Sequence, residues 1–168
     1  MDTTNNMKKK DLVVTRVFDA PVELVWKCWT DSELVMRWSG PNGFTCPIAK
    51  LDFREGGTSL VCMREPKEFG GKDMYSIWFY KKIMPMKLIE ITSNLSDKDG
   101  KALDPVTLGL PPEFTKDIRM VVTFKKVGSD KTEMTVTQYD WTVSQMSDMA
   151  EAGWNQSLDK MQLIFIKA

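Results

Sequence analysis

Few side chains in this sequence could perform acid–base or nucleophilic chemistry. The chain contains no histidine, which excludes Ser-His-Asp and Cys-His nucleophilic sites, HExxH zinc sites and the commonest general base. The remaining candidates are polar or ionisable residues that could point inward, namely Glu90, Ser93, Gln138, Tyr75, Tyr80, Arg64 and Ser157. Because none of them forms a known catalytic motif, we assign no catalytic residue. An enzyme that uses Tyr, Glu, Gln or Arg as acid, base or oxyanion donor stays an open alternative.

The cysteines and carboxylates do not suggest a metal or redox site. Cys28, Cys46 and Cys62 are odd in number, lack CxxC spacing and lie among apolar residues, so we interpret them as small core hydrophobes of a reducing compartment. The carboxylates do not cluster at the spacing of metal ligands. We therefore expect neither a metal nor a cofactor.

Charge and length restrict the class of protein and the partners. Lys plus Arg and Asp plus Glu each number 23 in 168 residues, and this balance indicates neither a nucleic-acid nor an anionic-membrane partner. No apolar run reaches the ~18 residues that a membrane span needs. The N-terminus lacks a secretory pattern, so we expect a cytoplasmic protein. We predict a disordered tail at 1–10 and a single domain at 11–168, as a monomer or homodimer.

The segment from Ser144 to Ala168 has the strongest helical pattern. Its apolar residues recur at steps of three and four, which predicts one helix of about six turns with a wide apolar stripe. The stripe mixes small residues and methionines with a tryptophan, a composition that suits a curved partner surface or a loosely filled cavity. Its members are Met146, Ala150, Gly153, Trp154, Ser157, Leu158, Met161, Ile164 and Phe165.

Upstream of this helix the pattern indicates mostly strands. Leu12 to Phe18 predicts a first strand, and two short amphipathic helices follow, the second with a capping box formed by Thr30 and Glu33. Period-two alternation then predicts strands at 45–53, 58–64, 73–83, 87–96, 118–125 and 132–141. The long Pro- and Gly-containing loop at 96–115 is expected to border an opening.

Several short sequence motifs match a known family, namely Arg16–Pro21, Val25-Trp26, Trp29–Asp31, Arg37-Trp38 with Gly40-Pro41, Gly153-Trp154 and Ser157–Lys160. With these motifs the chain resembles the SRPBCC/START-like superfamily and, within it, homologues of the heat-shock-protein-90 ATPase activator, in particular its C-terminal domain. The resemblance covers roughly residues 11–167. It implies an α+β helix-grip fold, in which a curved antiparallel sheet of about six or seven strands wraps around a long C-terminal helix, with two short helices after strand one and an apolar cavity between sheet and helix.

We expect this cavity to bind a small hydrophobic molecule without catalysis. Ser93, Gln138 and Ser157 lie on otherwise apolar faces, where an unpaired polar group costs about 1–3 kcal/mol, which favours a space filled by water or ligand. The alternatives are an interaction protein linked to a heat-shock chaperone and a cyclase- or hydrolase-type enzyme. The predicted ligand-binding residues are Ile89, Ile91, Ser93, Met120, Val122, Met134, Val136, Gln138, Met146, Ala150, Gly153, Trp154, Ser157 and Met161.

Overall fold

A seven-stranded antiparallel sheet packs against three helices in the computed structural model, which describes residues 8–110, 114 and 116–166. The strand order is β1-β7-β6-β5-β4-β3-β2. This arrangement confirms the predicted α+β helix-grip fold. The elements are β1 (Lys9–Phe18), α1 (Val22–Thr30), α2 (Ser32–Trp38), β2 (Thr45–Lys50), β3 (Thr58–Arg64), β4 (Asp73–Met84), β5 (Leu88–Ser96), β6 (Ile118–Val127), β7 (Lys131–Thr142) and α3 (Gln145–Ile164).

The sheet is curved. Its pairing register shifts between Lys10 and Leu12, between Thr45 and Ile48, and between Tyr80 and Lys82. Such bulges increase the local twist and bend of a strand. The curvature lets the concave face receive α3.

The first strand begins earlier than expected. Lys9 and Lys10 already pair with Thr142 and Trp141 of β7, so the predicted boundary at residue 11 falls inside β1. Residues 1–7 of the predicted tail lie outside the described residues.

The two short helices follow β1 as predicted, but the cap of the second is different. Thr30 is the last residue of α1, and Asp31 adopts an extended conformation between the helices. The Asp31 carboxylate accepts hydrogen bonds from the backbone N–H groups of Glu33 at 2.9 Å and Leu34 at 3.3 Å. The predicted Thr30 capping box is therefore wrong, because Asp31 satisfies these N-terminal donors.

Strand β2 ends at Lys50, whereas the alternation predicted an end at Phe53. The Asp52 N–H donates to the Ser59 hydroxyl at 3.1 Å, and the Arg54 N–H donates to the Asp52 carbonyl at 3.0 Å. These bonds form a turn, so the backbone leaves the β-ladder after Lys50. The alternation of apolar residues extends beyond this point, and it therefore predicted too long a strand.

Helix α3 lies within the predicted segment 144–168, of which residues 167–168 are outside the described part. Ser144 caps it by accepting a hydrogen bond from the Met146 N–H at 3.1 Å, and the Ser147 hydroxyl accepts one from the Ser144 N–H at 3.0 Å. An Arg16–Asp159 ion pair of 2.8 Å joins the helix to β1. The long helix is thus fixed to the edge of the sheet.

Candidate functional site

A cavity of about 340 Å³ lies between α3, the loop after α2, and strands β3–β7. Most of its wall is apolar. Its described lining residues are Trp38, Ser39, Gly40, Pro41, Val61, Met63, Met74, Ser76, Trp78, Ser93, Asn94, Leu95, Phe114, Ile118, Met120, Gln138, Trp141, Met146, Met149, Ala150, Gly153, Trp154 and Ser157.

Tryptophans form much of this wall. Four of the chain's six line the cavity, and Trp29 packs behind them with ring centroids 4.7 Å from Trp38, 5.9 Å from Trp78 and 6.2 Å from Trp154. The Trp38 indole N–H donates to the Cys28 carbonyl at 2.8 Å, and that of Trp29 donates to the Met134 sulfur at 3.2 Å. These bonds hold the Trp38 and Trp29 rings in place and satisfy their indole N–H groups.

The predicted ligand-binding set divides into two groups. The first lies on the cavity wall, comprising Ser93, Met120, Gln138, Met146, Ala150, Gly153, Trp154 and Ser157. The second is outside the lining and 0% exposed in the packed core, comprising Ile89, Ile91, Val122, Met134, Val136 and Met161.

The division follows position along the strands. Ser93 pairs with Ile118, and Met120 pairs with Gln138, so these cavity residues share one end of the sheet. At the other end α1 covers the same face, and Trp26 meets Phe124 edge to face at 5.1 Å. Strand alternation predicts the inward face, but it does not indicate where along the strand a helix already fills the space.

Sequence reasoning missed the part of the wall formed by β3, β4 and the loop after α2. On the paired strands β3 and β4, Val61 lies opposite Ser76 and Met63 opposite Met74. Alternation within 58–64 places Val61 and Met63 on one face and could have identified them. No comparable signal exists for Gly40 and Pro41, whose place depends on the tertiary packing of their loop.

Two side chains of α3, Lys160 and Gln156, hold this loop in place with three hydrogen bonds. The Lys160 ammonium donates to the carbonyls of Phe44 at 3.1 Å and Ser39 at 3.5 Å, and the Asn42 N–H donates to the Gln156 side-chain oxygen at 2.9 Å. Burial lowers the pKa of Lys160. This side of the cavity is therefore tied to the helix that forms another side.

Three buried polar residues, Ser39, Gln138 and Ser157, belong to the cavity wall. Gln138 accepts a hydrogen bond from the Trp141 indole N–H at 3.0 Å and directs its own amide N–H to the Met120 sulfur at 3.6 Å. Ser157 is also buried, and its hydroxyl has no hydrogen-bond partner among the described residues. The wall can therefore offer hydrogen bonds at a few points.

The ionisable candidates lie elsewhere. Glu90 pairs with Arg119 at 3.0 Å, where alternation along β5 places it on the face opposite the cavity. Arg64 pairs with Asp73 at 2.7 Å. The Tyr80 hydroxyl lies 2.7 Å from that of Ser59, and burial raises the pKa of Tyr80 to about 12. Each of these groups, like Tyr75, lies outside the cavity lining.

The cysteines are buried and free, and burial raises the pKa of Cys28 to about 12 and that of Cys46 to about 11. Such thiols are poor nucleophiles. No group of three or more Cys, Asp or Glu side chains within the described ranges could hold a metal ion. Nor does that part of the chain contain a helix both long and apolar enough to cross a membrane.

Solved structures share this fold at low sequence identity. A protein from Chromobacterium violaceum is 21% identical with a TM-score of 0.75, over 94% of this chain and 98% of that one. The AHSA1 protein from Silicibacter pomeroyi is 19% identical with a TM-score of 0.71, over 92% and 96% of the two chains. No curated protein matches the sequence.

Sequence motifs that resemble the family contact one another in the structure. Arg16 from the first motif pairs with Asp159 from the last, and Lys160 binds the loop that begins with Ser39 and Gly40. The family model described as "Activator of Hsp90 ATPase homolog 1-like protein" matches residues 19–165. The chain therefore belongs to the family of Hsp90 ATPase activator homologue 1-like proteins.

Proposed function

We propose that this protein binds a small hydrophobic molecule in the cavity between α3 and the sheet, without transforming it. One observation carries the proposal: the cavity has a largely apolar wall, and none of its described lining residues is ionisable. A wall of this kind gains free energy by removing apolar ligand surface from water. We assign no acid, base or nucleophile within it.

The size of the cavity supports a ligand of modest dimensions. Its ~340 Å³ lies at the lower end of the ~300–1,000 Å³ typical of small-molecule pockets. Methionines on the wall, including Met120 and Met146, have flexible side chains that can adjust to different ligand shapes. An aromatic or short aliphatic molecule fits better than a long lipid chain.

The cavity reaches the surface near two methionines. Met74 and Met149 both line it, yet they are 45% and 60% exposed. Phe114, which lies in the loop expected to border an opening, also lines it and meets Trp141 edge to face at 5.8 Å. These residues mark the path by which we expect a ligand to pass.

The test uses N-phenyl-1-naphthylamine, a neutral dye whose fluorescence rises in apolar surroundings. We expect the wild type to bind the dye and to form a one-to-one complex in native mass spectrometry. Ala150→Phe places a ring in the cavity and should weaken binding about tenfold or more. Ala152→Phe adds the same ring at an exposed position of α3 and should leave the affinity unchanged.

Two results would contradict the proposal. One is a wild-type protein that binds no dye. The other is an Ala150→Phe variant that binds dye as tightly as Ala152→Phe, since the dye would then occupy another surface.

A chaperone-linked role is the second candidate, and it rests on the description of the matching family. The exposed methionines Met74 and Met149 provide an adaptable apolar contact at the cavity mouth. The test measures the ATPase rate of a heat-shock-protein-90 chaperone with and without this protein. An unchanged rate together with no complex in a pull-down would eliminate this candidate.

A further inference from the structure

The Gln138 amide has an unusual environment for a buried polar group. Gln138 is 8% exposed, lines the cavity, and lies between Met120 and Trp141, which line it too. Its amide N–H is directed to the Met120 sulfur at 3.6 Å. Because a thioether is a weak acceptor, this contact compensates poorly for removal of the amide from water.

The orientation of this amide is determined by its neighbour. An indole N–H can only donate a hydrogen bond, so the Trp141 N–H at 3.0 Å requires the oxygen of the Gln138 side chain to face it. The NH₂ group must then point the other way. One of its two N–H bonds meets sulfur, and the second has no acceptor among the described residues.

The uncharged character of the described wall limits which ligand groups can accept a hydrogen bond from the Gln138 amide. The described lining residues include no Lys, Arg, Asp or Glu. A carboxylate or ammonium beside Gln138 would lose much of its water and find no opposite charge among the described lining residues, which costs far more free energy than the burial of a neutral carbonyl. The free N–H therefore matches a neutral acceptor.

We propose that Gln138 donates a hydrogen bond to the ligand, so that the cavity selects neutral hydrophobic molecules with an acceptor oxygen, such as aryl ketones or esters. Pure hydrocarbons lack the acceptor, and carboxylates carry an unpaired charge. This selectivity rests on the proposed function, and it names the class of ligand that the same cavity takes.

The test compares three probes that each carry two phenyl rings on one central carbon. Benzophenone carries a carbonyl between two phenyl rings, diphenylmethane carries a methylene there, and diphenylacetate adds a carboxylate. Each probe competes with N-phenyl-1-naphthylamine, which gives three dissociation constants. We expect diphenylacetate to bind at least about tenfold more weakly than benzophenone.

Gln138→Met removes the donor while keeping a similar length. The ratio of the diphenylmethane constant to the benzophenone constant should fall about three- to tenfold in this variant, because the variant loses a hydrogen bond that only the ketone accepts. Thr123→Val removes a polar group from an exposed position of β6, outside the cavity wall, and should leave the ratio unchanged. Comparison of this ratio between the variant and the wild type cancels the difference in hydration free energy between the two probes, which is the same for both proteins.

A measurement on the wild type covers the case in which Gln138→Met fails to fold. The infrared carbonyl stretch of bound benzophenone should lie below its frequency in hexane, because a hydrogen bond weakens the C=O bond. A frequency equal to that in hexane overturns the proposal.

The outcomes distinguish a protein that binds no hydrophobic ligand from one that binds ligands without the proposed selectivity. No dye binding in the wild type refutes the proposed function. If the dye binds, the selectivity is refuted by an unchanged ratio in folded Gln138→Met, by equally tight diphenylacetate, or by failure of benzophenone to compete.

Discussion

Replacement of Gly153 by alanine should stabilise the protein. Gly153 lies inside α3 with an ordinary helical φ, so alanine adopts its backbone conformation without strain. A Cβ atom there would lie 3.8 Å from Pro41 Cβ and 4.0 Å from Pro41 Cγ. Both distances are ordinary van der Waals contacts, and the neighbouring loop need not move.

The expected gain follows from the helix. Glycine within a helix costs roughly 0.5–1 kcal/mol relative to alanine, largely because the unfolded chain loses more freedom. The free energy of unfolding should therefore rise by that amount. For a domain of this size, this corresponds to an increase in Tm of about 1–4 °C.

Urea denaturation followed by circular dichroism measures this change, and Gly57→Ala is the matched comparison. At Gly57 an added Cβ would collide with the Asp52 carbonyl oxygen and lie 2.9 Å from Arg54 Cγ, so that variant should lose about 1–3 kcal/mol. A destabilised Gly153→Ala would refute the reasoning, since it would mean that Pro41 packs more closely on α3 than the structure shows.

Three further predictions concern groups outside the cavity. Asp31→Ala should lower the free energy of unfolding in urea by ~1 kcal/mol, because the N–H groups of Glu33 and Leu34 lose their acceptor. At about pH 8 native Cys28 should not react with Ellman's reagent, whereas it should react in denaturant, because burial raises its pKa to about 12. The raised pKa of Tyr80, also about 12, means that the folded state keeps the phenolic proton more tightly than the unfolded state, whose pKa is 10.0. Its stabilising contribution is therefore complete below pH 10 and is lost as pH rises toward 12, so urea stability should fall less between about pH 9 and pH 11 in Tyr80→Phe than in wild type. A reactive native Cys28, or equal losses for wild type and Tyr80→Phe, would contradict these assignments.

The element types could be predicted from the sequence because their local signals were strong. Alternation identified 58–64 as a strand with the observed ends, and the three- and four-residue steps identified the segment that contains α3. The C-terminal end of β2 and the cap of α2 were predicted wrongly for a common reason. Backbone N–H groups that donate to the Ser59 hydroxyl and the Asp31 carboxylate determine where β2 ends and where α2 begins. Hydrophobic periodicity does not contain that information.

The cavity was predicted only in part. The inward face of β5 was correct, since Ile89 and Ile91 are buried and Ser93 lines the cavity. Alternation indicates the face of a strand but not the position along it, so it did not distinguish Ser93 at the cavity from Ile89 and Ile91 in the packed core. The wall at Pro41 was beyond prediction because the Gln156 and Lys160 contacts that place its loop join segments more than 100 residues apart.

The tryptophans in and behind the cavity wall can report ligand binding through their intrinsic fluorescence. Four of the six tryptophans line the cavity, where a bound molecule would touch their rings directly, and Trp29 lies close enough to exchange excitation energy with three of them. A single binding event should therefore alter the spectrum of several fluorophores together. Candidate molecules that do not absorb in the same range can be screened with unlabelled, unmodified protein.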